Sequence, residues 1–156
     1  MPSTYTPDSL RRARRLAAMM SLVAAVAACD NPVTPGQHEE EVHGLSIVEG
    51  ETEVARYFEG EITGALPDVV AGQEGPVLTL IFLDHDGEAI DVGGEEGVSL
   101  RARPTNTAIA DFEVDGFAGR VQGVAEGSTT IVFDLMHGGH ADFSSLGFPV
   151  TVLAAP

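Results

Sequence analysis

Three histidines offer this chain its main opportunity for chemistry. His137-Gly138-Gly139-His140 sets two imidazoles three residues apart in a glycine-rich turn, and His85 stands between carboxylates in Asp84-His85-Asp86-Gly87. Imidazole nitrogens with carboxylate oxygens suit a tetrahedral zinc ion, or a tetragonal copper or nickel ion. A metal set of His85, His137 and His140 with Asp84, Asp86 or Asp142 is therefore one reading of these residue types. The competing reading makes Asp86-Gly87 a hairpin turn and leaves His137 and His140 as polar loop residues. Calcium has a thinner case: Asp84, Asp86 and Asp91 form an acidic loop, but the spacing of an EF-hand is not met.

Other chemistry is poorly supplied. Ser128, Ser144 and Ser145 lack the Gly-x-Ser-x-Gly elbow of a serine hydrolase. No phosphate-cradling or dinucleotide-binding glycine loop is present. Glu95-Glu96 follows Gly93-Gly94, which reads as a solvated loop and not as a glycosidase pair. With no Trp and two Tyr, there is little to stack sugars or bases. The expectation is a protein that is not an enzyme.

Cys29 is the only cysteine, so no internal disulfide is possible and the fold must stand on its core. Its setting explains the thiol better than catalysis does. Arg11, Arg12, Arg14 and Arg15 precede Leu16 to Ala28, thirteen mostly apolar residues. That length fits the apolar core of a secretory leader and falls short of the about 20 residues a spanning helix needs. Val26-Ala27-Ala28-Cys29 then resembles the lipobox of bacterial lipoproteins: an aliphatic residue, two small ones and the cysteine that receives lipid. The resemblance implies cleavage before Cys29, a covalent lipid on its sulfur, acylation of the new amino group, and a membrane anchor of more than one chain. The expected place is the bacterial cell envelope, facing periplasm or exterior.

Beyond the leader the charge reverses. Four arginines, no lysine and 23 carboxylates give the chain after Cys29 a net charge of −19. Such a surface repels phosphate backbones, so nucleic acid is excluded as a partner. The acidity serves solubility or attracts cations.

Positioning falls to β-structure. After the leader at 1–28, residues 29–43 read as the lipidated cysteine and a flexible tether, with Asn31-Pro32, Pro35-Gly36 and Glu39-Glu40-Glu41. By the scaling of flexible chains it holds the domain about 20 Å from the bilayer. His38 and His43 flank the acidic triplet and read as solvated tether residues. From Gly44 onward the apolar period is two. Strands are expected at Leu45–Ile47, Val54–Phe58, Glu61–Leu66, Val77–Leu83, Val98–Arg103, Ala108–Val114, Ala118–Val124, Thr129–Met136 and Phe148–Leu153. This spacing predicts an all-β fold, an antiparallel sandwich over 44–156.

Within it, residues 77–153 resemble bacterial immunoglobulin-like repeats of the second group. The carriers are Phe82-Leu83-Asp84 with Asp86-Gly87, Asn106 with Ile109-Ala110-Asp111-Phe112, and Gly119 to Gly127 running on to Thr130-Ile131-Val132. Val124-Ala125-Glu126-Gly127 is the most specific part, with Gly127 expected to turn the chain back as the adjacent strand. The Trp common in that family's middle strand is missing, and Leu100 stands near its place. Residues 44–76 lie outside the resemblance, as extra strands on the same sandwich or a divergent half-domain. An immunoglobulin-like sandwich implies a non-catalytic binding or structural module whose partner is a protein or surface polymer. Strand parity from Val77 puts the loops holding His85, Asp115-Gly116 and His137/His140 at one pole. A metal-binding envelope lipoprotein, with zinc or copper there, is the alternative.

Overall fold

The computed structural model describes residues 41–156, and these form eleven strands and no helix. In chain order they are β1 (Gly44–Glu49), β2 (Thr52–Phe58), β3 (Glu61–Gly64), β4 (Val69–Val70), β5 (Leu78–Leu83), β6 (Val98–Pro104), β7 (Ala110–Asp115), β8 (Ala118–Gly123), β9 (Gly127–His137), β10 (His140–Ser144) and β11 (Phe148–Leu153). Alternation makes them strands: in β5, Leu78, Leu80 and Phe82 are buried while Thr79 between them is exposed.

The first sheet runs β3-β2-β1-β5-β8-β7; the second runs β10-β9-β11-β4, with β6 also paired to β9. Every pair is antiparallel except β4 with β11. The sheets close over one apolar core containing Leu45, Ile47 and Phe82 from the first and Ile131, Phe133, Phe148 and Val150 from the second. Aromatic rings lock it edge to face, Phe112 on Phe133 at 5.0 Å and Phe82 on Phe143 at 5.8 Å between centroids.

Within residues 44–76, β1, β2 and β3 join the first sheet and β4 the second. β1 inserts between β2 and β5, and the stretch after β3 crosses from one sheet to the other. Leu66 and Ala71 donate to Pro149 and Leu153 of β11 at 3.0 and 2.9 Å. Gly72 and Gly75 then donate to Gly123 and Val121 of β8, both at 2.8 Å. An expectation is corrected at Gly127: the chain does not double back on β8. That strand already pairs with β5 and β7, so β9 goes to the opposite sheet. The amides of Val124 and Ala125 both donate to the Ile109 carbonyl, which fixes the crossing. Gly127, at φ 151°, has the Ile109 side chain where a Cβ would project.

Candidate functional site

The first histidine group is built by β1 and β5. Gly44 lies opposite Leu83, and the His43 amide donates to the Leu83 carbonyl at 2.8 Å. His43 therefore stands beside the turn after β5, its ring edge-on to His85 with centroids 6.2 Å apart. Asp84 shapes that turn by accepting the N–H groups of Asp86 at 2.9 Å and Glu88 at 2.8 Å. The Glu88 amide, with those of Asp86 and Gly87 and the nearby His85, outweighs desolvation and holds the Asp84 carboxyl below its ordinary range. Gly87 takes the left-handed φ of 79° that the tight turn needs. His85 Nε2 lies 3.1 Å from Asp86 Oδ2, and His43 Nε2 lies 3.8 Å from Glu41 Oε2. Among the described residues, Asp84, His85 and Asp86 are the one set of three or more His, Cys, Asp or Glu whose donor atoms lie within 4.8 Å of one another.

The second group belongs to the β9–β10 hairpin. Gly138 and Gly139 form its two-residue turn, with φ of 57° and 94°, the left-handed pair that matches strand twist. His137 and His140 flank it with rings 6.3 Å apart and inclined by 27°. Asp142, at a bulge in β10, faces both: its carboxylate oxygens lie 3.3 Å from His137 Nδ1 and 3.0 Å from His140 Nε2.

Both groups stand at the same end of the sandwich. Val98 at the start of β6 lies opposite His137, and Phe82, near the end of β5, packs on Phe143 of β10. The Asp115-Gly116 turn shares that end, since the next residue, Phe117, accepts from the Leu80 amide. Yet the expected set of His85, His137, His140, Asp84, Asp86 and Asp142 is divided. His85 meets His43, Asp84 and Asp86, whereas His137 and His140 meet Asp142. Cys29 with Val26, Ala27 and Ala28 lies outside the described residues.

Two features of the structure are not among the sequence expectations. His43 was assigned to the tether, although it sits directly before β1; its meeting with His85 depends on which strand β1 chooses. The other is Asp134, fully buried on the outer side of β9. Arg103 donates to both its oxygens, at 2.6 and 3.0 Å, Arg101 donates at 2.9 Å, and the Ser144 hydroxyl at 2.6 Å. The Arg103 bonds come first in holding this carboxyl far below its ordinary range; burial opposes them, and Ser144 and Arg101 assist. The signal was present: an aspartate inside Ile131-Val132-Phe133-Asp134-Leu135, and two of the four arginines at alternate positions of one strand.

No family model matches the chain, and no curated protein matches it. Solved structures of surface layer protein SbsC are similar to it. The structure of its domains 1-6 is 18% identical with a TM-score of 0.45, covering 74% of this chain, which spans 13% of that one. Domains 4 and 5 give 16% identity and a TM-score of 0.42, over 70% of this chain and 75% of that one. Domains 5-6 give 22% and 0.40, over 56% and 39%. At these scores the likeness carries no argument about function.

Proposed function

We propose that this chain is a lipid-anchored protein of the bacterial cell envelope whose sandwich is a non-catalytic binding module. Its contact surface is the outer face of the second sheet, and its partner is a protein or surface polymer. The composition of that face carries the reading. The strand registers align five rows of outward residues: Ser99/Met136/Ala141, Arg101/Asp134/Ser144, Arg103/Val132, Thr105/Thr130/Pro149 and Ser128/Thr151. The one carboxylate among them is covered by two arginines, so the face has a formal charge of +1 in a sandwich whose four arginines and 19 carboxylates sum to −15. A broad sheet face without free carboxylates is the part of this surface that contacts an acidic or neutral partner with least repulsion.

The test is co-sedimentation of the non-lipidated domain, residues 30–156, with isolated cell envelopes. Val132→Glu with Thr151→Glu is expected to reduce the bound fraction at least tenfold. Equal sedimentation of this variant and the wild type, or none by either, removes the reading.

A second reading, cation binding at the histidine pole, is favoured by one observation. Each of the four described histidines has a carboxylate oxygen within 4 Å of a ring nitrogen: His43 with Glu41, His85 with Asp86, and His137 and His140 with Asp142. Metal analysis of the purified domain, with zinc and copper added, checks it; a domain that takes up neither ends it.

A further inference from the structure

We infer that His43, His85 and Asp86 form a site for one borderline divalent cation of the zinc or copper class, which clasps the segment entering the sandwich to the turn after β5. This inference rests on the cation-binding reading and names its site.

The argument begins with backbone pairing. His43 precedes β1 and His85 follows β5, 42 positions apart in the chain. The Gly44–Leu83 register and the 2.8 Å bond from the His43 amide to the Leu83 carbonyl make them neighbours. That hydrogen bond fixes His43 beside the end of β5, and the turn held by Asp84 carries His85 from there.

The two rings are in edge contact, although the His43 nitrogens do not lie within 4.8 Å of donor atoms on both His85 and Asp86. Two imidazoles on one tetrahedral ion, with metal–nitrogen distances near 2.0 Å, have centroids about 5 Å apart. From the observed 6.2 Å, edge to face, binding requires the two side chains to rotate toward each other, and both are at least partly exposed and able to do so. Asp86 adds an oxygen: its Oδ2 is 3.1 Å from His85 Nε2 and is free of backbone bonds. Asp84 does different work. Its Oδ1 is committed to the Asp86 and Glu88 amides, so it holds the turn that presents His85 and Asp86. Two nitrogens, one oxygen and one open position for water make a borderline-cation set.

The charge of −19 over residues 30–156 raises the local concentration of any cation. Glu41, 3.8 Å from His43 Nε2, orients that ring or serves as a further oxygen. Binding requires neutral imidazoles, so protons compete with the cation. The other histidine pair is arranged differently, since His137 and His140 each point a nitrogen at the same Asp142 carboxylate.

The test uses residues 30–156, which contain every residue of the buried core, from Leu45 to Val152. Zinc chloride is titrated calorimetrically at pH 7.5 into the wild type, His43→Gln, His85→Gln and the double variant His137→Gln/His140→Gln. Each fold is verified by circular dichroism. One zinc per chain is expected, weakened at least tenfold by His43→Gln and by His85→Gln and within twofold of wild type in the double variant. Zinc should also slow cleavage by a glutamyl endopeptidase after Glu41. Stoichiometric binding unaffected by His43→Gln, or lost only in the double variant, overturns the clasp and leaves cation binding at another position on the pole. No stoichiometric zinc or copper uptake by the wild type overturns both.

Discussion

Asp134 shows how a single buried carboxylate can be made stable on a sheet surface. Its partners are directly opposite or one row away, so the strands themselves hold the arginines in place, and their half-exposed guanidinium groups keep water on the outer side. Asp134→Asn removes charge-assisted hydrogen bonds and is expected to lower unfolding free energy by about 1.5–3 kcal/mol. Arg103→Ala should destabilise more than Arg101→Ala, because Arg103 bonds both carboxylate oxygens and Arg101 only one. The pH dependence has a definite sign. The folded carboxyl titrates below the unfolded one, so its contribution is complete above about pH 4 and is lost as pH falls through the folded value. Urea unfolding should therefore separate wild type from Asp134→Asn by a constant amount between pH 8 and pH 5, narrowing below about pH 4. A gap that widens on acidification contradicts this assignment. Cys29 makes a prediction of another kind. Cys29→Ser should abolish incorporation of labelled palmitate and release the protein from the membrane fraction; retention of both label and membrane association removes the anchor from the proposal.

Among the elements, the β2–β3 hairpin contains a residue ill matched to its turn. Phe58 pairs with Glu61, so Glu59 and Gly60 form a two-residue loop with φ of 47° and 90°. Glycine takes such a value freely, whereas glutamate pays on the order of 1 kcal/mol for it. Glu59→Asn should raise the melting temperature by about 4 °C without altering the register; a lower value would mean that Glu59 makes a contact that outweighs the strain. This turn also shows what the sequence made legible. Strands with apolar alternation, such as β5 and β9, announce themselves. β4 does not, because two residues carry no period, and β10 escapes because Ala141-Asp142 forms a bulge that breaks alternation between His140 and Phe143. Pairing partners are harder still. Nothing local in Leu45-Ser46-Ile47 says that β1 will lie against β5, and this single choice brings His43 to His85. The histidine pole was thus legible as a set of loops, while its division into two groups depended on register.

At the scale of the whole molecule, charge and core oppose one another. The fold rests on one apolar core with no disulfide, and the described residues around it carry 20 carboxylates and four arginines. Two of those arginines are engaged by Asp134, Arg56 lies 3.4 Å from Glu53, and Arg120 lies 3.7 Å from Glu74. Most of the described carboxylates therefore have no arginine within 4 Å, and the compact state concentrates their repulsion. Screening acts chiefly on this exposed excess, because the Debye length falls from about 20 Å at 20 mM salt to about 4 Å at 500 mM. The Asp134 cluster is partly shielded from solvent and loses less. Sodium chloride over that range should accordingly raise the melting temperature of residues 30–156 by several degrees. Asp134→Asn should follow the same slope from a lower starting point. A melting temperature that falls with salt would mean that attraction within the few ion pairs outweighs repulsion among the many free carboxylates. The low charge density on the outer face of the second sheet would then have to be explained by packing alone.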